Sequence, residues 1–186
     1  MGKIEELAAH TEAILRLLGE DPTREGLQRT PERVAKAWDF LTHGYSEDPA
    51  ALLQSAIFEE DCRRMVLIRD IDFYSLCEHH MLPFFGRVHV AYIPDGHIVG
   101  LSKVPRMVEA YARRLQVQER LTAEIKDCLM EALHPKGVMV MIEASHLCMQ
   151  MRGVQKMNTR TVTYDYAGVF AEDPRQRDEF FRLLGK

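Results

Sequence analysis

The sequence predicts an α+β fold, an antiparallel sheet with helices on one face and a helical arm in front of it. Three observations carry this reading. β-forming runs come in two pairs, each pair closed by a short turn. Apolar stripes at helical spacing precede, separate and follow those pairs. The resulting order is two helices, two strands, two helices, two strands and one helix, the arrangement of an α+β layer. No internal repeat or low-complexity segment interrupts it.

The first helix is expected over residues 4–18, where Ile4, Leu7, Ala8, Leu15 and Leu18 share a face and Gly19 ends the pattern. Thr30-Pro31 announces a second helix as cap and first-turn proline, with Val34, Trp38 and Leu41 at helical spacing and Gly44 closing it. Residues 46–60 read as a connection with some helix. Residues 1–60 are therefore taken as the N-terminal helical arm, and residues 61–186 as the domain that carries the chemistry.

Residues 64–76 and 86–94 are rich in β-formers, and Pro94-Asp95-Gly96 reads as a turn. Ser102 is the expected cap of a helix bearing Val104, Met107, Val108, Tyr111, Ala112 and Leu115. A further helix is expected between Gln116 and Leu133. Residues 138–149 begin as a continuous apolar run, as a strand buried on both faces does. Residues 159–166 alternate again, and Asp173-Pro174 caps a last helix with Phe180, Phe181 and Leu184.

Charge and composition narrow the function. The 28 acidic against 24 basic side chains leave a net charge of −4, which argues against a general nucleic-acid binder. No apolar run is long enough for a transmembrane helix, and the N-terminus lacks a signal-peptide pattern, so a cytoplasmic protein without a membrane partner is expected. In that setting Cys62, Cys77, Cys128 and Cys148 are expected to be reduced.

The sharpest chemical signal is Cys77-Glu78-His79-His80, followed far downstream by His146-Leu147-Cys148. Thiolate sulfur and imidazole nitrogen are zinc donors, and a two-residue gap such as Cys77 to His80 is common in zinc sites. His146 and Cys148, two apart on an expected strand, would point to one face. A catalytic site uses three protein ligands and leaves a position for water, so five donors exceed what it needs. Spacing alone does not separate a closed structural site from an open one. Cys62, Cys128, His10, His43, His89, His97 and His134 are read as packing or surface residues.

Lys103 and Arg106 fall in the first turn of the helix after Ser102, where unpaired amides favour anions. Arg152 follows the second cluster, and Arg33 and Lys36 lie one turn apart on the second helix. Together they could hold a polyphosphate; singly, each could be a solvated charge, as Arg113, Arg114 and Arg120 are taken to be. Glu119, beside Gln118, suits either a helix dipole or the N1–H and amine of a guanine.

The runs CEHHMLPF, GRVHVAYIP, GLSKVPRMV, QVQERLT and HLCMQMRGVQKMN, in this order and spacing, resemble the GTP cyclohydrolase I family over about residues 30–185. The resemblance implies a tunnelling fold: a four-stranded antiparallel sheet with two long helices on one side. It also implies a homodecamer with active sites between subunits. The implied activity is zinc-dependent ring opening of GTP, with formate release and rearrangement to 7,8-dihydroneopterin triphosphate. That is the first step of pterin and folate biosynthesis and feeds one-carbon metabolism, and the family includes allosteric enzymes. By matching position, Cys77, His80 and Cys148 would be the Zn2+ ligands and His79 and His146 the proton-transfer pair. Ser102 would assist at the ribose. Glu119 with Gln118 would anchor the guanine, and Lys103, Arg106 and Arg152 would clamp the triphosphate with Arg33 and Lys36 as outer members.

Thr159 stands where the family usually has Ser, and Tyr164, Asp165 and Tyr166 replace its usual small or aliphatic run. Changed packing or subunit contact, without lost chemistry, is the expectation there. Two other functions compete. A nitrile reductase of queuosine synthesis would share the fold but needs no zinc triad. A non-catalytic, zinc-stabilised GTP-binding assembly protein would bind GTP without turning it over.

Overall fold

The computed structural model describes residues 2–186, which divide into two compact units, one ending at His43 and one spanning Gly44–Lys186. The division falls earlier in the chain than the expected arm boundary at residue 60.

In the first unit, α1 (Lys3–Leu17) packs against α2 (Thr30–Leu41). The buried residue on each helix is small, Thr11 and Ala35, which lets the backbones approach. Thr11 satisfies its hydroxyl on the Leu7 carbonyl at 2.7 Å. Lys3 pairs with Asp39 at 2.7 Å in an exposed ion pair worth little. The expected Thr30 cap is corrected: Arg29 is the N-cap, and the Thr30 hydroxyl donates to the Gly26 carbonyl. Leu18, expected on the buried stripe, is 74% exposed.

The second unit opens with α3 (Pro49–Gln54), whose first amides are held by the Asp48 carboxylate. It continues through β1 (Ile57–Glu59), β2 (Val66–Cys77), β3 (Pro83–Ile93) and β4 (His97–Val99). Then come α4 (Lys103–Ala112), β5 (Leu115–Gln116) and α5 (Gln118–Leu133). Last are β6 (Gly137–His146), α6 (Leu147–Gln150), β7 (Thr161–Gly168), α7 (Val169–Glu172) and α8 (Pro174–Leu184).

The four long strands lie antiparallel in the order β2-β3-β6-β7, as an α+β fold requires. Two short additions were not expected. β5 adds two residues in parallel beside the end of β2, and β1 pairs with β4 in a separate ribbon.

The centre of the sheet is buried from both sides. Val138, Val140, Ile142 and Ala144 of β6 face Leu121, Ile125 and Leu129 of α5, while Val88 and Val90 of β3 join Val104, Met107 and Val108 of α4 in the same cluster. The alternate residues Met139 and Met141 face Phe170 and Phe180 from the C-terminal helices. This is why β6 reads as an unbroken apolar run: period-two alternation disappears when both faces are dry. It also amends the expectation of helices on one face, since α7 and α8 cover part of the other.

The unusual Tyr164-Asp165-Tyr166 run follows the same alternation. The two tyrosine rings stack with centroids 6.3 Å apart, Phe181 meets Tyr164 edge-on, and Arg177 sits 5.0 Å over the Tyr166 ring. Asp165 points to the opposite face and pairs with Lys126 of α5 at 2.8 Å. The run thus ties β7 to α8 on one side and to α5 on the other.

Candidate active site

Sheet register brings the two sequence clusters to one end of the molecule. Leu76 pairs with Pro83 and Phe84 with His146, so the turn after β2 and the junction after β6 are neighbours. That turn is tight. Met81 donates its amide to the Cys77 carbonyl at 2.7 Å and adopts φ 53°, while Cys77 donates to Leu82 at 2.9 Å. The Glu78 amide donates to the Gln116 carbonyl at 3.0 Å, which anchors the turn to β5.

The expected placement of Cys148 is corrected. It lies on α6 rather than on a strand running through His146. The β7 ladder reaches β6 only as far as Ala144↔Thr161. Past it the β6 backbone loses a partner on that side, and the chain turns helical within two residues.

The result is convergence of three donors. Ligand atoms of Cys77, His80 and Cys148 all lie within 4.8 Å of one another. The donor set of two sulfurs and an imidazole fits a zinc-type ion. Burial and the adjacent Cys77 sulfur push the Cys148 thiol above its ordinary value. All four cysteines are free of disulfides.

The flanking histidines differ. His79 is largely exposed, its Nδ1 3.8 Å from the Cys77 Sγ and its Nε2 3.9 Å from the Glu78 carboxylate. Glu78 in turn is held by Arg120 of α5, whose hydrogen bond keeps the carboxyl below its ordinary range. His146 is half-buried; its ring lies flat on Phe84 at 4.7 Å and 3°, and its Nε2 is 2.7 Å from the Gln118 Oε1. Burial lowers the His146 pKa, and the charge of Glu119 opposes that. Arg152 reaches back to the His80 Nε2 at 2.8 Å.

Cys77, His79, His80, His146, Cys148, Gln118, Glu119 and Arg152 are therefore one neighbourhood. Ser102, Lys103 and Arg106 stand at the start of α4, and among the described residues no side-chain hydrogen bond or ion pair joins them to it. Ser102 is the N-cap, but its backbone is helical and its hydroxyl caps nothing, which corrects the expected side-chain cap. Arg33 and Lys36 belong to the first compact unit, where Lys36 pairs with Glu32 one turn away. Sequence reasoning gave no role to Glu78, Arg120 and Phe84, although Glu78 and Phe84 lie within the run CEHHMLPF and Arg120 lies beside Glu119.

An α+β domain gathers two thiols and an imidazole at a strand end, a group that could hold a metal ion, with two more histidines beside them. A family model described as GTP cyclohydrolase I matches residues 7–185. The chain is 60% identical over 180 residues to the GTP cyclohydrolase 1 of Porphyromonas gingivalis, covering 97% of this chain and 93% of that one. It is 61% identical over 181 residues to that of Parabacteroides distasonis, covering 97% and 92%. It is 59% identical over 184 residues to that of Chlorobaculum tepidum, covering 97% and 82%. The chain belongs to the GTP cyclohydrolase I family.

Proposed function

We propose that the chain is a zinc-dependent GTP cyclohydrolase that opens the guanine ring of GTP and forms 7,8-dihydroneopterin triphosphate and formate. The observation that carries this reading is the convergence of Cys77, His80 and Cys148 in a chain of this family. Bound by these three, a zinc ion supplies Lewis acidity that brings the pKa of water toward neutrality.

The chain's own residues do the rest. Two hydrolytic C–N cleavages at C8 release that carbon as formate. The ribose then opens, rearranges and closes onto the freed amine with loss of one water. His79, exposed beside the triad, protonates the purine nitrogens as the imidazole ring opens. His146 and Ser102 carry protons in the later steps, and an uncommitted Ser102 hydroxyl supports that role. Glu119 accepts from the guanine N1–H and amine. Lys103, Arg106 and Arg152 clamp the triphosphate, with Arg33 and Lys36 as outer members. Arg152 leaves His80 to do so. Triphosphate binding holds the base in place and takes no part in bond-making.

The fold is read as the tunnelling fold, and the assembly as a homodecamer with active sites shared between subunits. β7 leaves one edge of the sheet unpaired, and Tyr74, Val162 and Tyr164 are half-exposed apolar residues of its strands, both of which suit a sheet that continues into a second copy. Four free cysteines suit a cytoplasmic setting. No helix of the described residues is long and apolar enough to cross a membrane.

The test is incubation of zinc-loaded protein with GTP, followed by oxidation. Pterin fluorescence is expected. Retention of unchanged GTP would favour the non-catalytic assembly reading.

A further inference from the structure

Gln118 was expected beside the guanine, but its side chain is already fully committed. It is 1% exposed, and its Nε2 lies 3.1 Å from the Ile142 carbonyl, 3.1 Å from the Thr161 carbonyl and 3.0 Å from the Thr163 Oγ1. The first two are acceptors only. Thr163 is made an acceptor by its neighbour. Thr122 donates its hydroxyl proton to the Gln118 backbone carbonyl at 2.8 Å, so across the 2.7 Å contact between the two threonines Thr163 must donate. None of the three partners can donate to Gln118, so its two N–H bonds face them and the amide has one orientation. Its oxygen faces His146.

An amide oxygen can only accept, so at 2.7 Å the His146 Nε2 must carry the proton. Phe84, itself fully buried, lies flat beneath the imidazole and holds its plane. We infer that Gln118 is a positioning residue that locks His146 as the Nε2–H tautomer in one orientation and leaves Nδ1 as its lone-pair nitrogen. The inference rests on the reading above that His146 moves protons during GTP turnover. It takes Gln118 out of the substrate contacts, because neither end of its amide is free for a guanine.

The experiment uses zinc-loaded enzyme with 15N-labelled histidine. In the wild type, two-bond couplings from the ring protons should identify Nε2 of His146 as the protonated nitrogen. In Gln118→Met the resonances should move to values averaged between tautomers. There kcat should fall about tenfold, the size of one lost hydrogen bond, while KM for GTP stays within about twofold and zinc content is unchanged. Thr163→Val keeps the volume, removes one of the three acceptors that hold the amide, and should give a smaller change in the same direction even if the methionine variant folds poorly. An Nδ1-protonated His146 in the wild type would overturn the inference whatever the activity. So would a Gln118→Met enzyme with raised KM and unchanged kcat, which would return Gln118 to the guanine. A wild type with the stated tautomer and no formate release would remove the proposed function, and with it the catalytic meaning of the contact, while the tautomer itself stood.

Discussion

Arg120 holds the Glu78 carboxylate in a charge-assisted hydrogen bond, and Glu78 sits between Cys77, one of the three proposed metal donors, and the exposed His79. The same guanidinium donates to the Gln116 side chain at 3.1 Å and to the Leu115 carbonyl at 3.2 Å. One side chain thus joins the turn that carries Cys77 and His80 to β5 and to the start of α5, where Gln118 and Glu119 lie.

Replacing that side chain should loosen the metal before it touches the fold. Arg120→Ala is expected to weaken zinc binding about tenfold, in the range seen for partners that orient ligands rather than bind the ion. Competition with a chromophoric chelator measures it, and unchanged affinity would show that the turn holds itself.

Two of the thiols outside the β2 turn should separate cleanly. Cys148→Ala should lose bound metal and formate release while the protein still assembles. Cys128 is buried in the core among α5 packing residues. Cys128→Ala should keep metal and activity and lose about 1 kcal/mol of stability through the cavity. Elemental analysis and thermal unfolding of both variants distinguish them; equal zinc in both would remove Cys148 from the site.

His89 predicts a pH dependence unrelated to catalysis. It is 4% exposed and accepts from the Asp70 amide at 3.1 Å through Nδ1; among the described residues its Nε2 has no hydrogen-bond partner, the Glu143 carboxylate lying 3.7 Å away. Burial lowers its pKa, and the charges of Asp70 and Glu143 only partly offset that. The unfolded chain therefore takes up a proton that the folded chain resists. The stabilisation is present above the unfolded value of about 6.5 and is lost as pH falls from there toward the folded value, at up to about 1.4 kcal/mol per pH unit. Unfolding curves of wild type and His89→Gln between about pH 5 and 8 test this, with the variant expected to be flatter.

Gly86 marks a backbone approach that no side chain fits. A Cβ there would lie 1.9 Å from the Glu143 carbonyl oxygen and 2.7 Å from the Ala144 Cα. Gly86→Ala should cost about 3 kcal/mol and shift the β3-β6 ladder that sets Phe84 under His146. Denaturant unfolding measures the first effect.

Much of this was legible in the sequence because it depends on local pattern. The unbroken run of β6 and the stripes of α4 and α5 each follow from which face is dry. The convergence of Cys77, His80 and Cys148 was legible because such residues are rare and lie in two short clusters. What escaped depends on where neighbouring strands stop. Cys148 turns helical because the β7 ladder ends at Ala144, which lies outside any local window. Arg120 looked like a solvated charge because its partner Glu78 is 42 positions away. Gln118 was placed by its neighbour Glu119, and only the ring of threonines around it reveals that its amide is spent.

The central claim is that carbon 8 of guanine leaves by hydrolysis at a centre made from Cys77, His80 and Cys148. The most direct measurement is 13C NMR of GTP labelled at C8, incubated with the zinc-loaded protein. The label should appear as free formate in step with pterin formation, and chelation should stop both. Label that stays in the nucleotide, or formate that still accumulates from the Cys148→Ala protein, would contradict the account.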